Sequence, residues 1–390
     1  DIGLHGFYSK LKSFNQETMD DKVRVGANTT YYLNDRLKLG VNFMYNTIDG
    51  SDFFIWQNAI RGVYRPLAGT VSAGRRTRWM IDPFLIFDDA SGGNHKVQGR
   101  VFYTNNDLNM NQSNTNLTNM IEYQYQRKVV PLDLVATFGA FYSSTDSEAE
   151  LFNDSTYLYQ NMAIYAQLEK QFSKKLSTSL GLRYEYNDQK SPKEFLGIQI
   201  PNGRVTDGAL VARLGVNYAL AEFTNLRASW GQGYRYPTIT ERFIRTSFGG
   251  FQIFPNPLLQ PEYGFSTELA VKQGLKIGSI QGFLDVAAFW QEFSFQNNPL
   301  GFTPINVGNT RIAGFETSFM GKFDIWKINF TTLMGYTYID PIYKDYDTNE
   351  QISSTVSAGV NVLKYRSKHS AKIDIEGTFK GVFIGFAHQY

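Results

Sequence analysis

From Pro261 to Lys272 the chain reads PEYGFSTELAVK, and its residues sort by parity. Glu262, Gly264, Ser266, Glu268, Ala270 and Lys272 form one set, and Tyr263, Phe265, Thr267, Leu269 and Val271 the other. A strand sends alternate side chains to opposite faces. The segment therefore predicts a strand with one charged or small face and one apolar face. The same alternation runs through VRVGANTTYYL, LKLGVNFMYN, LSTSLGLRYEYN, LVARLGVNY and LRASWGQGYR, where Arg24, Lys38, Arg183, Arg213, Arg227 and Arg235 stand on the polar side.

Two features separate this pattern from a soluble β-sandwich. Many segments run to ten residues or more, against about five or six in soluble strands. Their apolar faces also carry Tyr, Trp or Phe near an end, where an aromatic girdle would meet a membrane surface. Connections alternate in length as well. Asn34-Asp35-Arg36, Ser173-Lys174-Lys175, Ala221 to Thr224 and Lys276-Ile277-Gly278 are short, whereas those near 49–74, 105–117, 144–156, 188–207, 236–259, 293–306 and 341–366 are long. Short turns at one end and long loops at the other are the build of an outer-membrane barrel. The fold expected is all-β, a transmembrane antiparallel up-and-down β-barrel.

About seventeen strands are predicted, the first near 3–11 and the last near 382–390. A closed single-chain bacterial barrel has an even number of strands, and an open sheet in lipid leaves backbone groups unpaired. Residues 1–390 then read as one partial barrel domain, a stretch of a larger barrel.

Composition narrows the function. With 38 Lys+Arg against 36 Asp+Glu, no basic field points to nucleic acid. The absence of Cys excludes disulfides and thiolate chemistry. His5, His95, His369 and His388 are scattered without metal-ligand spacing, so neither a cofactor nor a metal is expected. A hydrolytic barrel needs a nucleophile beside a His at one rim, and only Ser367 or Ser370 with His369 offers it locally. The chain does not read as an enzyme.

Five motifs follow one another in the second half. GYRYP, containing Arg235 and Pro237, is followed by NPLLQPE with Asn256, Pro257, Pro261 and Glu262. Next come NVGNTRIAGFE with Arg311, Gly314 and Glu316, then GYTY and YRSKH. Together they resemble the barrel motifs of TonB-dependent outer-membrane receptors, with Ser367 where that family carries Pro. The resemblance is specific over 225–390; the first 220 residues match in pattern only. It implies a barrel of about 22 strands filled by an N-terminal plug. About two strands and the plug would precede Asp1, and roughly three strands would follow Tyr390. It also implies a Gram-negative outer-membrane location, in contact with lipid and lipopolysaccharide. The function implied is energised uptake of a large scarce nutrient: an iron chelate or siderophore, cobalamin or an oligosaccharide. Partners would be the TonB complex, through the plug, and in some members a surface lipoprotein. A passive porin, or a surface-binding barrel without transport, shares the alternation and is the competing reading.

The two Pro-rich corners have a physical reading of their own. Pro lacks an N–H and fixes φ, so Pro237 and Pro261 should end ladder pairing at the outer rim, with Arg235 and Glu262 pairing across the two strands. Between them, Arg242 and Arg245 would suit an anionic chelate, and Phe248, Phe251 and Phe254 would stack on a flat ligand face. Trp56 and Arg61 mark a second aromatic and basic loop. The stretch NNDLNMNQSNTNLTN reads as a polar, mobile loop.

Overall fold

The computed structural model describes residues 1–248, 251–294, 297–300, 303–306, 308–346, 360–363 and 366–390, the side chains of 247–248, 251–252, 297–300 and 305 excepted. Among the described residues seventeen strands form one sheet, from Ile2–Lys12 to Val382–Gln389, each inner strand hydrogen-bonded to the sheet strand before and after it. Every ladder is antiparallel, as an up-and-down wall requires. Among the described residues the sheet is not closed: Ile2–Lys12 and Val382–Gln389 each have a single neighbour.

Register confirms the two faces. Ala270, Ala287, Glu316 and Thr337 lie in one cross-strand row, and Leu269, Ala288, Phe315 and Tyr338 in the adjacent one. Leu269 is 63% exposed while its neighbour Ala270 is 4% exposed. The apolar row suits lipid and the other row suits a polar lumen. Several charges on the polar face are paired: Arg227 with Asp285 at 2.9 and 3.0 Å, Arg100 with Asp82 at 2.8 and 2.7 Å, and Arg183 with Glu185 at 2.9 Å. Tyr165 folds over Gly139, where a Cβ would sit 2.2 Å from the ring, and donates to Glu122 at 2.8 Å. Only glycine leaves room for that ring.

The strands are longer than the sequence pattern indicates. Leu37–Phe53 has 17 residues and Ser155–Ser173 has 19, whereas a tilted strand crosses a bilayer in about 9–11. The excess lies at the long-loop end. There the alternation of apolar and polar residues lapses, so the pattern predicts ends that are too early. The Asn-rich stretch corrects an expectation in this way: it is not a mobile loop. Gly93–Leu108 pairs with Asn114–Val129 up to Asn106↔Asn114. Polar side chains knit the ladder, with Asn106 donating to Asn114 at 2.8 Å, Thr115 to Asn105 at 3.2 Å and Ser147 to Asn116 at 2.5 Å.

One ladder stops short. Arg204–Ala221 and Thr224–Arg235 pair only as far as Arg213↔Gly231. Above that point side chains replace the backbone bonds. The Gln232 amide oxygen accepts from Ala212 N–H at 3.0 Å, Tyr236 donates to the Val205 carbonyl at 2.8 Å, and Tyr234 and Tyr263 both donate to Asp207, at 2.9 and 2.6 Å. The 236–261 arm leaves the wall here and crosses to the strands before it. No helix among the described residues is long and apolar enough to cross a membrane, which says nothing of a barrel.

Candidate binding site at the outer rim

Thr238 caps a one-turn helix, Ile239–Phe243, as part of a capping box. Glu241 N–H donates to the Thr238 hydroxyl at 3.2 Å, and Thr238 N–H donates to the Glu241 carboxylate at 2.8 Å. Such reciprocal bonds satisfy donors that a helix start leaves free. Arg235, the last residue of its strand, clamps the same carboxylate at 2.7 and 2.9 Å and Glu262 at 2.9 and 2.8 Å. The expected pairing of Arg235 with Glu262 is therefore present, with Glu241 as a third member. Burial alone would raise the Glu241 carboxyl, but Thr238 and the Arg235 guanidinium outweigh it and hold the group below the ordinary glutamate range.

Arg242 takes a different place from the one its sequence context suggests. It is 1% exposed. Its guanidinium donates to Gln189 at 2.7 Å, to the Tyr236 hydroxyl at 2.9 Å and to the Leu259 carbonyl at 2.7 Å, and lies 4.6 Å from the Tyr236 ring centre. None of these partners carries a full charge. The side chain bolts the arm to the wall and faces no opening.

Next to it is the rim's own small core, formed by Ala149, Phe152, Tyr157, Phe195, Ile200, Ile239 and Phe243. Phe243 is fully buried, 4.5 Å from the Tyr157 ring and edge-on to Phe195 at 5.4 Å. Two connections and the arm meet there, which fixes their relative positions. The arm then runs into a short hairpin, Thr246–Phe248 with Phe251–Ile253. The side chains of Phe248 and Phe251 lie outside the described residues.

Beyond this core the arm and two connections enclose a cleft of about 510 Å³ lined by Arg245, Phe254, Asn111, Asn153, Glu150 and Asp154, among others. Arg245 N–H donates to the Leu151 carbonyl at 2.7 Å, while its side chain is exposed. Phe254 is 51% exposed. Of the expected contact residues the structure thus brings Arg245 and Phe254 together. Trp56 and Arg61 lie in a separate loop built on Asn58, whose side-chain oxygen accepts N–H groups from Ile60, Arg61 and Gly62 at 3.0, 2.9 and 3.1 Å. Sequence reasoning missed Glu150, Asp154, Asn111 and Asn153, which no local signal links to the arm.

The motif residues are architectural. Pro237, Pro257 and Pro261 are buried at the two corners, and Asn256 donates to the Pro304 carbonyl at 3.0 Å. Arg311 pairs with Asp340 at 2.6 Å, 5.0 Å from the Trp290 ring. At Gly314 a Cβ would sit 2.2 Å from the Tyr338 carbonyl, so no other residue fits. Glu316 lies on the polar face between Ala287 and Thr337. Among the described residues no group of His, Asp and Glu could hold a metal ion.

Comparison with solved structures finds the same wall. The chain superposes on the ferric-catecholate import receptor Fiu of E. coli K12 with a TM-score of 0.70 at 13% identity, over 100% of this chain and 66% of that one. For FpvAI, in its complex with pyocin S2, the values are 0.67 and 14%, over 100% and 58%. For the siderophore receptor PirA of Acinetobacter baumannii they are 0.69 and 12%, over 100% and 62%. The chain therefore spans between 58% and 66% of these structures, and at such identities the likeness is one of fold. Residues 3–388 match the family model described as TonB dependent receptor-like, beta-barrel, and the chain belongs to that family.

Proposed function

We propose that this chain forms the wall and outer rim of a Gram-negative outer-membrane receptor that imports a large nutrient using energy supplied through TonB. The observation that carries this reading is a wall with one apolar face and one charge-lined face, joined to a built cleft at the long-loop rim. A passive pore needs the wall but not the cleft. Similar folds are described as ferric-catecholate, siderophore and hemophore receptors and as a copper transporter, so the wall serves many cargoes and the rim must select among them.

In this reading the cargo is captured by the cleft through Arg245 and Phe254, and the barrel is larger than the seventeen strands present, about 22 with a plug in its lumen. The plug is the part that TonB engages, while lipopolysaccharide surrounds the wall. In the same reading a surface lipoprotein is a further partner at the rim. The test is uptake by cells expressing the receptor, with and without TonB, across ferric siderophores, haem, cobalamin and oligosaccharides. One cargo taken up only with TonB is the expected result. Entry of many small solutes regardless of TonB would make the protein a porin, and binding without uptake would make it a surface receptor.

A further inference from the structure

The charges of the rim cleft do not fit a simple anion site. Arg245 contributes the positive charge, and Glu150 and Asp154 contribute two negative ones, so these three sum to −1. Among the described residues neither carboxylate lies within 4.0 Å of the Arg245 guanidinium, since no such ion pair forms. Glu150 accepts one hydrogen bond, from Ser113 N–H at 2.9 Å. The Asp154 carboxylate and the Arg245 guanidinium are exposed and engage no described group.

Two backbone features shape this arrangement. Asn153 and Asp154 have φ of 59° and 51°, and Met110 and Asn111 have φ of 61° and 55°, so both connections turn through left-handed residues. The Phe152 and Phe243 packing then fixes the 149–155 connection against the arm. Opposite charges are therefore presented apart from each other, with the neutral amides of Asn111 and Asn153 and the exposed face of Phe254 in the same cleft.

A wholly anionic ligand would meet Arg245 but also two carboxylates, and a wholly cationic one would meet Arg245 unfavourably. A ligand with separated positive and negative ends satisfies both. Side-chain amides offer a donor and an acceptor each, which matches peptide groups between such ends. The cleft volume lies within the about 300–1,000 Å³ of small-molecule sites, and a tripeptide spans about 10 Å.

We infer that this cleft binds a zwitterionic peptide-type ligand, Arg245 taking its carboxylate, Asp154 its ammonium and Phe254 an apolar side chain. This rests on the rim being the receptor's capture surface, but its test needs no transport. The probe is the tripeptide Gly-Phe-Ala, with its N-acetyl and C-amide forms, titrated by calorimetry into the full-length receptor in detergent. The free tripeptide is expected to bind saturably, and capping either end to weaken it at least tenfold. Arg245→Gln should erase the penalty of C-amidation while keeping that of N-acetylation, and Asp154→Asn should do the reverse.

Absence of saturable binding, or penalties that both variants leave unchanged, overturns the inference. So does a ferric tris-catecholate that binds the cleft more tightly in Asp154→Asn, which would mark an anion site. TonB-dependent uptake of another cargo alongside no peptide binding would sink this inference alone. Peptide binding without TonB-dependent uptake would sink the transport reading alone.

Discussion

Arg242 and Arg245 sit three residues apart on the same arm, yet the structure assigns them opposite consequences when removed. Arg242→Ala deletes three hydrogen bonds and leaves Gln189, Tyr236 and the Leu259 carbonyl without their donor. Bonds to a charged group contribute about 1.5–3 kcal/mol each. Against that, burying a guanidinium with no carboxylate partner is itself costly, so the three do not simply add. We place the net loss at about 2–4 kcal/mol, borne by the arm and not by the barrel. At about 1.4 kcal/mol per tenfold, the arm should open roughly 30- to 1,000-fold more often. The measurement is hydrogen exchange of the 236–261 segment, with heat-modifiable gel mobility as the check that the barrel is intact. Arg242→Ala should exchange faster across this arm only, and Arg245→Ala should match the parent protein. If Arg242→Ala left the arm as protected as before, Arg242 would not be its anchor.

Other consequences follow from the same geometry. Phe243→Ala empties the rim core and should cost the arm about 3–5 kcal/mol, seen as rapid proteolysis between Pro237 and Pro261 with the wall unaffected. Glu241 has its folded-state pKa below its unfolded value. It thus adds stability above the ordinary glutamate pKa, and that stability is lost as pH falls through the folded value. Arm protection should be level from neutral pH to about 5 and decline below about 4, and Glu241→Gln should flatten that decline. Leu269→Arg places a charge on the lipid-facing row at a cost of about 2–4 kcal/mol near mid-membrane and should cut the yield of folded barrel. Ser266→Arg, on the polar face, should not; equal yields would refute the assignment of faces.

The sequence by itself determined the wall. Lipid on one side and a polar lumen on the other impose a period of two on every spanning segment, and that period is written residue by residue from Val23 to Phe386. The bracketing of the arm was legible too, because Pro237 and Pro261 act through their own backbone and Arg235 and Glu262 sit opposite each other at the end of one ladder.

Tertiary structure alone decided the rest. Above the membrane both faces of a strand meet water, the alternation lapses, and strands such as Asn114–Val129 are held by Asn and Thr side chains that look like loop composition. Arg242 and Arg245 are alike in local sequence; Gln189 and Leu259, remote along the chain, bury one and leave the other free. The cleft joins side chains from near 111, 153, 245 and 254. Their proximity is a product of packing around Phe243, and packing between distant segments leaves no periodic trace in the chain.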